Sequence, residues 1–500
     1  MLKIKNFQNA GRVLFPPFGS QISSKNNKFC VTSNTVSKRI TADIALSRGK
    51  NSTKMGKMRV LSSEANSKAG KKIELKGWVR LKRSHGKLIF LDLRDREGII
   101  QLVISPKASQ EAYEAASGLR PEDVIEAIGT VKKRPAGTIN KELETGGIEV
   151  EVASIKAISK AETLPFDMGA EELNLELPTL LDHRSLTLRH PKIASIFKVQ
   201  EGIVTAFRET LKKENFTEIF VPTIIKSAPE GGSEVFTIDY YDHKAYLGQS
   251  PQLYKQMMVG VFERVFTIAH AYRAEPSVTT RHLSEYVSLD LEMGFIESFN
   301  DIMDVAEKVV KSMIEQASKV VKVSVPQIKK PIPRIKMREA QEIIFKRTKS
   351  DHRKEPDLDP SDEKEICKWA EEQTGSPFVF ITHYPTKKRP FYTMPDPKDP
   401  EYTLGFDLLG VSEEWVTGGQ RINDYKMLLD HIKKWGNKPE DFELYLQAFK
   451  YGMPPEGGFA MGLERITKDL LGLENVREAS LFPRDMERVD ERFSKTEGKR

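Results

Sequence analysis

Apolar and polar residues alternate in five separate runs between residue 72 and about residue 156. The runs are Ile73-Glu-Leu-Lys-Gly-Trp-Val-Arg80, Leu88-Ile-Phe-Leu-Asp-Leu93, Ile99-Ile-Gln-Leu-Val-Ile104, Val124-Ile-Glu-Ala-Ile-Gly-Thr-Val131 and Ile148-Glu-Val-Glu-Val152. A period of two turns one face of each run toward a core, the mark of a half-buried strand. Asp95-Arg-Glu-Gly98 is a turn signal between the second and third runs, and one helical stretch, near Pro106 to Gly118, interrupts the series. Five such strands fit a small closed barrel over residues 72–156.

The pattern then changes. Residues 157–190, with Pro165 and Pro178 and little periodicity, read as a linker or hinge. From Pro191, apolar residues Ile193, Ile196, Phe197, Val199, Ile203, Phe207 and Leu211 recur at helical spacing. Ile219-Phe-Val-Pro222-Thr-Ile224 reads as a strand broken by proline, and a residue that cannot donate to a ladder places Pro222 at an edge or an interface. Ala228-Pro-Glu-Gly-Gly232 is a flexible loop, short strands and hairpins run to about 297, and a helix covers roughly 300–321. Residues 325–395 are charged and proline-rich, a mixed insertion, and residues 403–421 and 456–472 return to glycine-rich turns beside apolar strands and a helix. The expected class is α+β: a five-stranded barrel of OB-fold order, then a domain from 191 to 500 with an antiparallel sheet flanked by helices. OB-folds bind single-stranded nucleic acid through aromatic and basic side chains. Arg83, Phe90 and Gln101 lie on or beside neighbouring strands, although Phe90 would equally fill a barrel core.

Composition adds little to this picture until it is resolved along the chain. Five hundred residues with 39% hydrophobic and 30% charged content describe a globular protein of two or three domains. No apolar run approaches the ~20 residues of a membrane span. Cys30 and Cys367 stand far apart, which excludes a disulfide framework and a cysteine zinc site. The net charge of +7 belongs to the N-terminus. Residues 1–58 hold 11 Lys/Arg and the single acid Asp43, a net +10, and the other 67 Lys/Arg and 70 Asp/Glu sum to −3. That extension is expected to be disordered. Its composition suits a basic arm for RNA, residues upstream of a true start at Met55 or Met58, or an organellar transit peptide. The first two readings imply a cytoplasmic protein and the third an organellar one.

Four stretches carry candidate chemistry. In His270-Ala-Tyr-Arg273-Ala-Glu275-Pro-Ser-Val-Thr-Thr-Arg281-His282, two arginines bracket a polar loop between strand-like runs. Two fixed guanidiniums suit a polyphosphate, because each makes bidentate charge-assisted bonds to phosphate oxygens; a hairpin with ordinary surface ion pairs reads the same way. Gly457-Gly-Phe-Ala-Met-Gly462-Leu-Glu-Arg465 reads as a strand turning into a helix, with an arginine able to stack on a base or merely to sit at the surface. Asp407 and Glu414 offer hard oxygen ligands for Mg²⁺, or are solvated acids. Lys255, in Gln249-Ser-Pro-Gln252-Leu-Tyr-Lys255-Gln256, follows an apolar strand, where a snorkelling lysine is common.

Together these stretches, in this order, resemble the class II aminoacyl-tRNA synthetases, and among them the aspartyl-tRNA synthetases of the shorter archaeal and eukaryotic-like type. The resemblance covers about residues 72 to 485. It implies that Pro222 belongs to the first class motif, at a homodimer interface. It implies that Arg273 holds the α-phosphate of ATP and Glu275 the adenine side or the tRNA end. Arg281 and His282 face the γ-phosphate. Arg465, following Gly462, sandwiches adenine against Phe295 or Phe459. Arg273, Arg281 and Arg465 are the catalytic residues, and Asp407, Glu414 and Thr417 the magnesium ligands. Glu230 lies on a loop that closes over the amino acid, Gln252 and Asp290 read its ammonium group, and Lys255 and Arg421 grip the side-chain carboxylate of aspartate. Arg83, Phe90 and Gln101 contact the anticodon, with Phe90 stacking on a base.

The resemblance thus implies a ligase that activates L-aspartate with ATP and transfers it to tRNA-Asp, with tRNA-Asn as an open second acceptor. Arg80 lies where related enzymes differ on that point. A buried cation with no anion to meet costs several kcal/mol, so Lys255 favours aspartate over asparagine. An asparaginyl-tRNA synthetase is the alternative within the fold. A non-catalytic tRNA-binding paralogue is disfavoured because Arg273, Arg281, Arg465, Asp407 and Glu414 are all present.

Overall fold

A computed structural model describes residues 59–226, 235–276, 278–320, 325–411 and 413–493. The basic extension and the Glu230 loop, both singled out above, lie outside the described residues. The chain divides into two compact units at Thr163/Leu164.

In the first unit, β1 (Lys72–His85), β2 (Leu88–Arg94), β3 (Ile99–Ile104), β4 (Val124–Lys133) and β5 (Ile148–Ser159) close into a barrel in the order β1-β2-β3-β5-β4. The alternation that marks the strands also sets their faces. Ile89, Leu91 and Leu93 of β2 and Ile100, Leu102 and Ile104 of β3 enter one core, each burial contributing about 1.5–3 kcal/mol. The barrel helix is Gln110–Ser117, shorter at its start than the sequence suggests. Ser109 sets that start: its hydroxyl accepts a bond from the Ala112 N–H at 3.1 Å, an N-cap that Pro106 precedes.

The second unit is built on thirteen strands: β6 (Thr217–Glu218), β7 (Ile224–Ile225), β8 (Thr237–Tyr240), β9 (His243–Leu247), β10 (Arg264–Tyr272), β11 (Glu285–Gly294), β12 (Arg334–Lys336), β13 (Phe378–Thr382), β14 (Pro395–Asp396), β15 (Asp399–Thr403), β16 (Gly405–Gly410), β17 (Glu413–Gln420) and β18 (Glu456–Gly462). Eight of them form one sheet in the order β12-β13-β16-β17-β18-β11-β10-β6. Its interior pairs are antiparallel, but the outermost pair at each edge is parallel, so the sheet is mixed rather than wholly antiparallel. The helices Pro191–Lys213 and Phe299–Val320 cover one face, where Val199, Phe207, Val309 and Met313 pack with Leu289 and Leu291 of β11. The odd positions of β11 therefore belong to the core, and its even positions, from Tyr286 to Glu292, turn to the other face.

Three expectations change. Residues 325–395 are not an insertion apart from the sheet, because β12 and β13 form its edge and β13 pairs with β16. All five residues of Phe378-Val-Phe-Ile-Thr382 are buried, the continuous apolar run of a strand covered on both faces, masked in the sequence by charged flanks. The linker holds two short helices, Leu177–Asp182 and Arg184–Thr187, and Arg184 donates to the carbonyls of Glu478, Ser480 and Leu481. The strand expected through Ile219–Ile224 splits between β6 and β7, which belong to different sheets, and Pro222 is exposed between them.

Candidate active site

β10 and β11 form a hairpin whose ladder ends at Tyr272 and Glu285, so Arg273 and Arg281 lie on its connection. The even face of β11 and the ends of β17 and β18 open onto a cavity of about 340 Å³, within the range of small-molecule sites. Two networks of charged side chains wall it.

The first network gathers the arginines. Arg273, Arg281, His282, Glu414, Gly462 and Arg465 all line the cavity. Arg281 is held by Glu363 at 3.1 Å and Glu413 at 3.2 Å. Arg465 donates to the Glu414 carbonyl at 3.1 Å and reaches its carboxylate at 3.4 Å. Glu275 is not on the wall; it ties Arg273 and His282 together, at 3.4 Å to each. Burial and the nearby charge of Glu414 push the Glu363 carboxyl up to about 7, against the pull of Arg281 and Arg465. Burial and then Asp407 raise Glu414 in the same way. Acids so crowded in a cationic cavity are poised to give up their arginines to a stronger anion.

Neither phenylalanine expected opposite Arg465 is at the wall. Phe295 is 70% exposed, and Phe459 is buried in the core. The cavity has two tyrosines, Tyr286 and Tyr392. Tyr286 lies beneath Arg273, with the guanidinium 5.5 Å from the ring centre. Counting back in twos along β11 from Asp290 would have found it.

A cation site among Asp407, Glu414 and Thr417 can be tested on their free valences. Asp407 Oδ2 accepts a bond from Arg389 at 2.6 Å, while its buried Oδ1 has no hydrogen-bond partner. That orphaned oxygen and the Glu414 carboxylate fit a hard cation. Thr417 does not fit as well, because its hydroxyl accepts a bond from Arg389 at 2.9 Å. Arg389, which also lies over Tyr384 at 3.9 Å, was not legible in the sequence: in Lys387-Lys-Arg389-Pro it reads as one more surface charge.

The second network is nearly dry. Arg421 and Gln252 line the cavity, but Lys255 and Asp290 sit one layer behind it. Lys255 is fully buried and bonds Asp290 at 2.9 Å, Glu292 at 3.2 Å and the Phe459 carbonyl at 3.2 Å. The expectation of a lysine waiting for an anion is therefore wrong: the even face of β11 supplies two carboxylates that neutralise it. Arg421 bonds Glu292 at 2.7 Å and the Gly458 carbonyl at 3.0 Å, and its guanidinium lies 5.4 Å from the Tyr392 ring. Gly458 must be glycine, since a Cβ there would collide with the Leu291 carbonyl and the Glu292 carboxylate.

On the barrel, Arg83, Phe90 and Gln101 share the outer face. Phe90 alternates with core residues Ile89 and Leu91, is only half-buried, and pairs with Arg83 across β1 and β2. The barrel-core reading of Phe90 thus fails. Arg83 bonds Asp92 at 3.1 Å and Gln101 at 3.4 Å, and its side chain stays 53% exposed, free to swing toward a ligand.

A barrel of this order and a mixed sheet carrying paired arginines above a cavity define a class II synthetase. Residues 176–486 match the family described as class II tRNA synthetases (D, K and N), and residues 73–158 match the OB-fold nucleic acid binding domain. The chain belongs to that class II family. It is 42% identical over 451 residues to the aspartate–tRNA(Asp/Asn) ligase of Deinococcus radiodurans, covering 86% of this chain and 98% of that one. It is 41% identical to the aspartate–tRNA(Asp) ligase of Pyrococcus abyssi, over 84% of this chain and 96% of that one. Among solved structures, asparaginyl-tRNA synthetase from Pyrococcus horikoshii, complexed with asparaginyl-adenylate, superposes with a TM-score of 0.79 at 32% identity, over 87% of this chain and 100% of that one.

Proposed function

We propose that this chain is an aspartate–tRNA ligase that uses ATP. The observation that carries the reading is one cavity walled by the phosphate-type arginines Arg273, Arg281 and Arg465 and by Arg421 and Gln252, with Glu292 bonded to Arg421 behind them. In the first step the α-carboxylate of aspartate attacks the α-phosphorus of ATP and pyrophosphate leaves. Arg273 takes charge on the α-phosphate, and Arg281 with His282 that on the leaving oxygens. Adenine lies between Arg465 and Tyr286. In the second step the 3′-hydroxyl of the terminal tRNA adenosine attacks the carbonyl carbon of the adenylate, forming the ester as the anhydride bond breaks and AMP leaves. The two arms of the amino acid meet Gln252 and Arg421.

Charge balance supports aspartate. Lys255 and Arg421 are matched by Asp290 and Glu292, and burial with the charge of Glu292 pushes the Glu456 carboxyl well up, toward its neutral form. Beyond its reacting carboxylate, aspartate adds one charge of each sign and keeps the network neutral. Asparagine would add an unmatched ammonium. Pyrophosphate exchange with aspartate and with asparagine separately tests the reading, which exchange with asparagine alone would overturn. Charging of purified tRNA-Asp and tRNA-Asn then sets the acceptor range.

Magnesium would be held by Asp407 Oδ1 and Glu414, where it would offset phosphate charge. Arg389, itself at the cavity wall, holds Asp407 through Oδ2, and losing such a partner costs about 10–100-fold in metal affinity. Arg389→Leu is therefore expected to weaken Mn²⁺ binding in the presence of ATP, read by electron paramagnetic resonance; unchanged or tighter binding would remove that role.

The homodimer is supported by the edge position of β6 and the exposed Phe220 and Pro222 just after it, Phe220 being 87% exposed. Sedimentation as a 56.7 kDa monomer would argue against it. For the anticodon, stacking on one aromatic is worth about 1–3 kcal/mol. Phe90→Ala should thus weaken tRNA binding about 5- to 150-fold and leave tRNA-free pyrophosphate exchange intact. Among the described residues no helix is long and apolar enough to cross a membrane.

A further inference from the structure

The connection of the β10–β11 hairpin is tied by backbone hydrogen bonds to a segment far along the chain. The Thr280 carbonyl, one residue before Arg281, accepts from the Val476 N–H at 2.9 Å. Beyond Arg281, the Ser284 N–H donates to the Arg484 carbonyl at 2.8 Å, and Glu285 and Arg484 form a β-bridge. The Ser284 carbonyl accepts from the Arg273 N–H at 2.9 Å, so the second tie lies across the hairpin from Arg273. The segment from Val476 to Arg484 is itself held from its other side. Arg184, only 4% exposed, donates to the carbonyls of Glu478 at 2.9 Å, Ser480 at 2.7 Å and Leu481 at 2.9 Å. Gln200 donates to the Ala479 carbonyl between them.

These backbone ties matter because the side-chain ties of the hairpin are given up on binding. Glu363 and Glu413 hold the Arg281 guanidinium in this structure. A phosphate that takes the guanidinium competes with both acids, so they cannot also fix the loop in the bound state. The backbone bonds make no use of the guanidinium and persist. A loop that its ligand must order loses part of the binding energy to that ordering, and a loop fixed beforehand does not. Preorganised charge is also what stabilises a transition state. The bond from Val476 falls next to Arg281, where a small displacement moves the guanidinium most directly.

We infer that the segment from Val476 to Arg484 positions the phosphate arginines, with the Val476 N–H setting the place of Arg281 and Arg184 holding the segment from behind. Val476 and Arg184 are thus positioning residues for ATP. Val476 lines the cavity and acts through its backbone; Arg184, in the short linker helix Arg184–Thr187, does not line it. The inference rests on the assignment of Arg273 and Arg281 to the phosphates of ATP.

The test uses full-length enzyme in ATP–pyrophosphate exchange. Val476→Pro deletes the N–H and sets a ring carbon against the Thr280 carbonyl. The local fold accepts it, because Val476 opens the short helical turn Val476–Ala479 and Asn475 before it is extended, at φ −135° and ψ 133°. The KM for ATP is expected to rise about tenfold, the loss of one hydrogen bond beside Arg281, with the KM for aspartate unchanged. Arg184→Lys cannot span three carbonyls, leaves the cavity wall untouched, and is expected to raise the ATP KM in the same direction. It decides the question if Val476→Pro fails to fold, and Val476→Pro decides it if Arg184→Lys does. A folded variant of either kind that raises both KM values equally, or neither, overturns the inference. Wild-type protein that shows no ATP–pyrophosphate exchange overturns the ATP assignment along with it; wild-type exchange with unaltered variants overturns the positioning role alone.

Discussion

Arg273→Ala is expected to lose on the order of 10²–10³-fold in aspartate-dependent pyrophosphate exchange, the usual cost of removing one preorganised charge from a transition state. The fold should barely notice. The Arg273 side chain is 41% exposed, its contact to Glu275 is a long 3.4 Å, and Glu275 keeps His282 as a partner. Surface substitutions of this kind stay within about 0.5 kcal/mol of the parent stability. Binding of tRNA should be retained, because Arg83, Phe90 and Gln101 are untouched on the barrel. Exchange rate, melting temperature and filter-bound tRNA measured on one preparation separate these effects. Near-normal exchange would remove Arg273 from the phosphate clamp. Arg281→Ala should fall less cleanly, since it would leave Glu363 and Glu413 without their shared cation.

How much of this could be read from residue order depends on whether the signal is local. The barrel was legible because alternation is a property of neighbours, and it also told Ile89 from Phe90 once the strand was known. The arginine hairpin was legible for the same reason. Glu363 and Arg389 were not, because nothing near them in the chain points to Arg281 or Asp407; the sheet order brings them there. Thr417 fitted a motif and still turned out to be bonded to Arg389. Lys255 is the instructive case. Its presence was visible, but its partners depend on the packing of the helix Gln252–Phe262 over β11, which no local pattern encodes. Lys255 is thus buried as expected, but two carboxylates already match its charge.

Those surroundings make Lys255→Leu the variant with the largest expected effect on stability. The substitution strands Asp290 and Glu292, both with no exposed side-chain surface, and breaking a buried pair in this way costs about 3–5 kcal/mol. Arg421 still holds Glu292, so the damage should centre on Asp290, which retains Ser288 but loses its cation. A fall in melting temperature of several degrees, and failure to activate aspartate, are expected together. The two can be pulled apart. Lys255→Leu combined with Asp290→Asn replaces the stranded acid by a neutral amide and should recover much of the lost stability. The pair leaves as a neutral unit, so Arg421 and Glu292 remain balanced, and aspartate activation stays lost only where the Lys255 charge itself draws the substrate carboxylate. A double variant that is stable and has an unchanged Michaelis constant for aspartate would show that Lys255 serves the fold alone, and would leave the choice of amino acid to Arg421 and Gln252.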